Sequence, residues 1–391
     1  MRVAIDGWCL RPPLTGIGHY VHRLIGAMLP LLEPEEQLLV YNWRLSSIDL
    51  AYYEHVEIAN SGQAHGEQAG VPLQNKIQAM LRQKTLLRKA FRVARAVHFH
   101  SAEKNFDLFH AVNYVPPVPL RHKLVLPVIY DLSHVRFAEM HPRERVEWID
   151  KGLKSLLDMP AVQTISEFSK QEIIDVLGIA HERIHVVYPA PGECFRPVVD
   201  DDERFLAECG AQSNKFFLFV GTREPRKNFK TVAEAYAGLP VSVRNEFPLL
   251  WVGASGWGDL ALSAAAERAK ETGNIRLVGY VRDRVLAALY RNTTLFLMPS
   301  IYEGFGMPVV EALACGASVA VSNIAVFQEI AGSGAKYVAA KDIEGWRQVL
   351  VEAVEARFHE IGENRVDSNL ARFTWERSAR QTLDLYRQLT S

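Results

Sequence analysis

Short apolar runs alternate with longer amphipathic ones twice along this chain, and that double alternation restricts its fold more than any other feature. In the first series "RVAID", "LLVYNW", "LFHAV", "LVLPVIYD", "VQTIS" and "IHVVYP" read as strands, the more buried ones lacking polar alternation. Helix-period segments such as His19–Leu29 and Ser166–Leu177 lie between several of them, with Ser166 placed to cap the second. From about Arg204 the pattern starts afresh with "FFLFVG", "PLLWVG", "IRLVGY", "TLFLMPS" and "SVAVSN". Strands that alternate with helices require parallel sheets joined by right-handed crossovers. Two such series predict an α/β protein of two Rossmann-like, doubly wound domains. The length of 391 residues agrees, because it exceeds what one core of ordinary size holds.

The natural join is "YPAPGECFRPVVDDD", Tyr188–Asp202, with three prolines, a glycine and an acidic run. Its DxD-like pattern suits a metal-binding transferase, but acids ahead of "ERFLAEC" more simply favour a helix N-terminus. The closing "FTWERSARQTLDLYRQLTS" reads as an amphipathic helix. A net charge of −1 exerts no general pull on nucleic acid, so no such partner is expected. Cys9, Cys194, Cys209 and Cys315 form no CxxC pair, which argues against a zinc ribbon or disulfide framework and suits a reducing cytosol. Cys315, beside Gly316, reads as a small buried residue at a helix end. With no signal-peptide pattern and no run of 18 apolar residues, a cytoplasmic location is expected. Lys76–Arg95 carries seven Lys/Arg and no acid. It reads either as a peripheral contact with an anionic inner membrane face or as a helix with a solvated basic side. The histidines of "VHFH" and His110 lack a clustered fourth ligand and read as structural.

Three stretches hold groups suited to ligand chemistry. In "IDGWCLRPPLTGIGHY", Gly16 and Gly18 open a helix and allow close backbone approach, although a tight strand-to-helix turn explains them equally. The spacing is not the dinucleotide fingerprint. In "VGTREPRKNF", Arg223, Arg226 and Lys227 cluster at the carboxyl end of a strand, where open sheets bind ligands. Cations there hold a diphosphate, unless the turn is simply solvated. In "SIYEGFGMPVVEALACG", Gly304 and Gly306 allow loop amides to face an anion, and Pro308 suits a first helical turn. Glu303 and Glu311 flank that loop, and one carboxylate accepts bonds from two neighbouring hydroxyls. A first-turn glutamate favoured by the helix dipole, plus a solvent-facing acid, is the competing explanation.

"EGFGMPVVE" with its E-x7-E spacing, the earlier "VGTREPRKN", "TGIGHY" near the start and "FTWERSARQTLDLY" at the end resemble the family-4 glycosyltransferases of GT-B fold. The resemblance extends over nearly the whole chain. It implies an acceptor-side domain, 1–192 plus 375–391, facing a nucleotide-sugar domain, 193–374, across a cleft. It also implies transfer with retention by a front-face substitution, without metal or cofactor other than the donor. By the same resemblance Glu303 contacts hydroxyls of the transferred sugar and Glu311 the ribose. The Phe305, Gly306 and Met307 amides, Lys227 and either Arg223 or Arg226 hold the diphosphate, with Thr222 where many members have Arg. Tyr280 and Val281 resemble the place where the base packs, and Gly16 and Gly18 close on the phosphates. Many members carry a cleft His where this chain has Tyr130, which leaves Asp131 and His134 as candidates. "YDLSHVRFAEMHPRERVEW" looks most like bacterial transferases of surface polysaccharide assembly. That likeness implies a GDP-mannose or GDP-deoxyhexose donor and a glycan or polyprenyl-linked acceptor. The rival readings are a UDP-sugar transferase, a sugar-nucleotide epimerase or hydrolase, and a non-catalytic nucleotide-sugar-binding subunit.

Overall fold

The computed structural model describes residues 1–11, 14, 16–42, 44–62, 93, 96–113, 124–197, 201–257, 261–355 and 370–391. The basic stretch Lys76–Arg95 lies, Val93 excepted, outside the described residues. No helix among the described residues is long and apolar enough to cross a membrane.

Two sheets carry the chain. The first contains β1 (Arg2–Asp6), β2 (Gln37–Tyr41), β3 (Leu45–Ser47), β4 (Leu108–Ala111) and β5 (Leu124–Pro127), in the order β3-β2-β1-β4-β5. All its pairings are parallel except that of the edge strand β3 with β2. A bridge from Val128 to Gln163 carries the sheet on to β6 (Val162–Thr164) and β7 (Ile184–Val186). The second sheet contains β8 (Phe217–Val220), β9 (Leu249–Val252), β10 (Ile275–Gly279), β11 (Leu295–Met298), β12 (Val319–Ser322) and β13 (Lys336–Val338). Its order is β10-β9-β8-β11-β12-β13, and every pairing is parallel. Strands such as "FLFV" and "LFLM" are buried along their whole length because helices cover both faces, hence their uninterrupted apolar sequences. The strands β3 and β13 were not legible: each is a three-residue edge without an apolar run.

Local signals explain the helices around the site. Ser166 Oγ accepts from Ser169 N at 2.9 Å and caps Glu167–Leu177, which ends at Gly178 in the left-handed region. The helix Met307–Ala314 begins with Pro308 in its first turn, and Gly316 (φ 77) follows the buried Cys315 at its end. Glu311 is the fifth residue of that helix, beyond the first turn, so the dipole reading does not account for it. Asp202 and Glu203 open the helix Asp202–Glu208, and the Asp202 carboxylate takes both Arg291 Nε (2.7 Å) and Nη2 (2.6 Å). That pairing engages this acid of the DxD-like run.

The last helix, Trp375–Thr390, lies on the first sheet. Tyr386 OH and His110 Nδ1 share a buried hydrogen bond of 2.6 Å, and Arg387 forks onto Glu36 with two bonds of 2.8 Å. Trp375 Nε1 donates to Pro191 O at 3.0 Å, which ties the helix to the linker. Burying Leu383 and Tyr386 stabilises this arrangement by roughly 2 kcal/mol per side chain. Burial drives the His110 pKa down to about 3, so this imidazole is a neutral core group.

Candidate active site

Strands β8 and β11 are neighbours, and the chain leaves them toward opposite edges of the sheet. The loops that follow them therefore meet at the switch point where open sheets form a ligand crevice. The "TREPRKN" loop comes from β8 and the "SIYEGFG" loop from β11. Ile301 N donates to Arg226 O at 2.8 Å, and Asn228, held at φ 54, donates to Pro299 O at 3.0 Å. This backbone bond and the Asn228 Nδ2 bond set the register between the two loops.

At their contact Glu303, 5% exposed, is held by three donors. Lys227 Nζ lies 2.5 Å and Ser300 Oγ 2.8 Å from Oε1, and Arg226 Nη1 lies 2.8 Å from Oε2. Burial alone would raise the Glu303 pKa, but the Lys227 and Arg226 charges pull it down to about 2. Lys227 moves the other way in charge preference. Burial and the adjacent Arg226 lower its pKa more than Glu303 raises it. The asymmetry has a simple cause: the carboxylate has two cations, whereas the ammonium has one anion and a like-charged neighbour. Arg226 is also bound to Glu224 at 2.9 Å and Tyr302 O at 3.2 Å. Burial works against its charge, but Glu303, Asp131 and Glu224 together raise its pKa. Arg226 is thus an internal strut. Among the described residues Arg223 Nε is buried without a hydrogen-bond partner, so Arg223 is the cation of this loop left available for a ligand. Thr222 lies between β8 and Arg223 and spends its carbonyl on Glu224 N.

Beyond Glu303 the loop turns into a helix start. Gly306 adopts φ 100, and a Cβ there would come within 2.6 Å of Phe327 Cε1, so a glycine is required. Phe305 buries its ring in the core. The Phe305, Gly306 and Met307 amides make no hydrogen bond among the described residues, which leaves an anion seat at the helix N-terminus. One turn on, Glu311 lies 3.5 Å from Tyr290 OH and 3.8 Å from Arg23 Nη1. Burial, then the nearby Asp283, push its pKa up to about 8 against the pull of Arg23. Tyr280, 52% exposed, sits with Val281 at the end of β10, and Asp283 acts on its phenol. A cavity of ≈ 1290 Å³, lined in part by Arg23, Asp283, His19 and Tyr53, opens on this Glu311 side, not over Glu303.

The first-sheet unit covers the site from above. Gly304 O accepts from Ser166 Oγ (2.6 Å) and Ser169 Oγ (3.0 Å), and a Cβ on Gly304 would lie 2.0 Å from Tyr130 O. Leu132 N donates to Tyr302 OH at 3.2 Å. This packing brings Asp131 to the Arg226–Glu303 cluster, where it also accepts from Ser133 N and Oγ. It does not bring in His134, whose ring is buried with Nε2 3.6 Å from Asp150 Oδ1. Tyr130 is likewise engaged, its hydroxyl donating to Val112 O at 2.9 Å. Gly18 is needed for an internal approach, since a Cβ would meet Cys9 O at 2.4 Å, whereas Gly16 faces open space at the helix start. Arg23 is a site residue that sequence reasoning missed. Arg23 reaches Asp283 and Glu311 from the middle of a helix, and only the docking of the two units makes it a neighbour of either.

The family model described as "Glycosyl transferases group 1" matches residues 202–358. Over its full length the chain is 30% identical to the O-antigen chain mannosyltransferase B of Escherichia coli, covering 100% of both. It is 29% identical to the serotype-specific mannosyltransferase WbdA of Escherichia coli over 59% of this chain and 29% of that one. The sucrose-phosphate synthase structure from Thermosynechococcus elongatus superposes with a TM-score of 0.67 at 20% identity, covering 100% of this chain and 99% of that one. The shared fold is GT-B.

Proposed function

This chain belongs to the group 1 glycosyl transferases with the GT-B fold, and on that premise we propose that it moves mannose from GDP-mannose to a hydroxyl of a growing surface polysaccharide. In this reading transfer retains the anomeric configuration, needs no divalent metal and occurs at the cytoplasmic membrane face on a lipid-linked glycan. The full-length likeness to an O-antigen mannosyltransferase supports the sugar and the process. The site reading is carried by the buried Lys227–Glu303–Arg226 cluster at one end of a loop whose free amides begin a helix.

The chemistry follows from what each group has to spare. Glu303 stays ionised at neutral pH, with Oε1 filled by Lys227 and Ser300 and Oε2 half filled by Arg226. An arriving diphosphate draws Lys227 off the carboxylate, and Glu303 then accepts from two hydroxyls of the mannose. Arg223, Lys227 and the Phe305–Met307 amides stabilise the charge that grows on the leaving diphosphate. The bond from the anomeric carbon to the phosphate oxygen breaks, and the bond to the acceptor oxygen forms on the same face. The acceptor's proton leaves on GDP. Incubation with GDP-mannose and a mannose-terminated acceptor tests this: GDP release should require the acceptor and survive EDTA, and NMR should show an α-linkage. Rapid consumption of GDP-mannose without acceptor would favour a hydrolase or epimerase, and turnover of a UDP-sugar instead would replace the donor.

The raised pKa of Glu311 yields a pH dependence. Ribose hydroxyls donate to a carboxylate, so the nucleotide prefers the deprotonated form, whereas the free protein holds the proton below about pH 8. GDP affinity should therefore tighten between pH 6 and pH 8 by up to about tenfold per unit and level off above. Glu311→Gln should flatten this profile. Calorimetry in buffers of different ionisation enthalpy should find protons released on binding at pH 7; no release, with a flat profile in the unmodified protein, would remove Glu311 from the ribose.

A further inference from the structure

Trp148 lies in the middle of the helix Arg143–Lys154 with 52% of its surface exposed, whereas Ile149 and Leu153 anchor the helix from its buried side. An indole left in water forgoes the burial that usually draws this residue inside. Arg145, three residues earlier and so its neighbour on the helix surface, holds its guanidinium 5.1 Å from the Trp257 ring. Trp257 belongs to the second-sheet unit, is itself 37% exposed, and donates through Nε1 to Met140 O at 3.0 Å. Two exposed indoles, one from each unit, thus flank one arginine. Arg143 pairs with Glu147 at 2.8 Å and Asp150 lies 3.6 Å from His134 Nε2, but the exposed Arg145 joins no ion pair among the described residues. This rim runs on from the candidate active site. Gly256, just before Trp257, packs so closely on the Arg223 loop that a Cβ would lie 2.0 Å from Arg223 O. On the other side the His141 ring lies 5.9 Å from the indole. Burial lowers the His141 pKa, Arg145 and Arg226 lower it further, and Asp131 opposes them, so the Arg226–Glu303 cluster is close by. The helix carries four cations and three acids, which leaves no basic excess to hold an anionic bilayer. Exposed aromatic rings beside an unpaired guanidinium suit a neutral ligand with apolar faces and many hydroxyls.

We propose that this rim binds the acceptor glycan beyond its reacting sugar: Trp257 and Trp148 stack on the apolar C–H faces of successive pyranoses, and Arg145 donates to the hydroxyls between them. Arg145 and Trp148 stand about one helical turn apart, ~5 Å, which is on the scale of one sugar ring. Resting on sugar transfer as proposed above, this means that the acceptor is recognised as a chain and not as one terminal sugar.

The test measures binding of, and transfer to, a series of mannose oligosaccharides of increasing length in the unmodified protein, Trp148→Ala and Trp148→Phe. Trp148 is exposed, so its replacement leaves the core intact. In the GDP-loaded unmodified protein, calorimetry should show affinity rising by about three- to tenfold as the chain lengthens to reach Trp148, the worth of one stacked ring. Trp148→Ala should abolish that gain and raise the acceptor KM for the longer chains more than it lowers kcat, with the GDP Kd kept within about twofold. Trp148→Phe, which retains an aromatic face, should recover part of the gain. Affinity independent of length, or the same gain in Trp148→Ala, would overturn the inference. A dimer that Trp148→Ala disperses, with acceptor binding unchanged, would give this face to a second copy of the chain instead. Length-dependent binding that Trp148→Ala abolishes, in a protein that transfers no sugar, would keep the subsite and overturn the transfer reaction. Transfer with an indifferent Trp148→Ala overturns the subsite alone.

Discussion

Glu303→Gln is expected to reduce turnover by about 10³-fold, because in the proposed reaction it removes the one ionised acceptor that the sugar hydroxyls meet. Glu303→Ala should do the same and also weaken the fold. From sequence alone this loop acid looks dispensable for folding. Buried as it is, it neutralises Lys227 and Arg226, and its removal leaves two cations short of a partner. Breaking a buried pair from one side costs about 3–5 kcal/mol. The displacement of the Glu303 pKa from 4.5 to about 2 corresponds to about 3 kcal/mol by linkage, in agreement. Since the native pKa is depressed, that stability is present above about pH 4.5 and is lost as pH falls toward 2. Denaturant titration at pH 7 and pH 3 should show the unmodified protein losing more stability than Glu303→Ala over this range. Near-normal transfer by Glu303→Gln would sink the site assignment, whatever the stability data show.

Lys227→Ala should cost about 10²–10³-fold, and mainly in kcat. The charge on the leaving diphosphate grows toward the transition state, so a cation that shifts onto it contributes more there than in the ground state. The fold should suffer less than in Glu303→Ala. Glu303 retains Arg226 and Ser300, and the departing ammonium was itself disfavoured by burial and by Arg226. Steady-state kinetics separate the possibilities: a raised donor KM with unchanged kcat would mean that Lys227 only binds, and would refute its role on the leaving group. Arg223→Ala should give a smaller loss of the same kind, since Arg223 has no internal carboxylate partner among the described ion pairs.

Much of the candidate site's structure was legible because it is local. Pro308 after a glycine-rich loop announces a helix start, and cations directly after an apolar strand mark the carboxyl end of a sheet, where ligands bind. What Glu311 does was not legible, since a glutamate in a first turn and one buried in a second turn read alike in a single sequence. Arg226 and Lys227 looked interchangeable with Arg223 as phosphate ligands. Their distances to Glu303, three strands further along the chain, separate a strut from a free cation. Asp131 and His134, the candidates beside Tyr130, part at the start of a short helix: Asp131 reaches the Arg226–Glu303 cluster, whereas His134 is buried beside Asp150.

The sequence by itself determined the architecture: apolar strand runs alternate with helices of period 3.6 strongly enough that neighbouring segments can bury their apolar faces only as parallel sheets under helices. Tertiary structure alone decided the site's electrostatics. The charge states of Glu303 and Glu311, eight residues apart, depend on which cations the opposite loop and the opposite unit bring within 4 Å of a water-excluded carboxylate. Burial and charge pairing fall off steeply with distance and solvent, so groups far apart in sequence set them, and no local pattern encodes them.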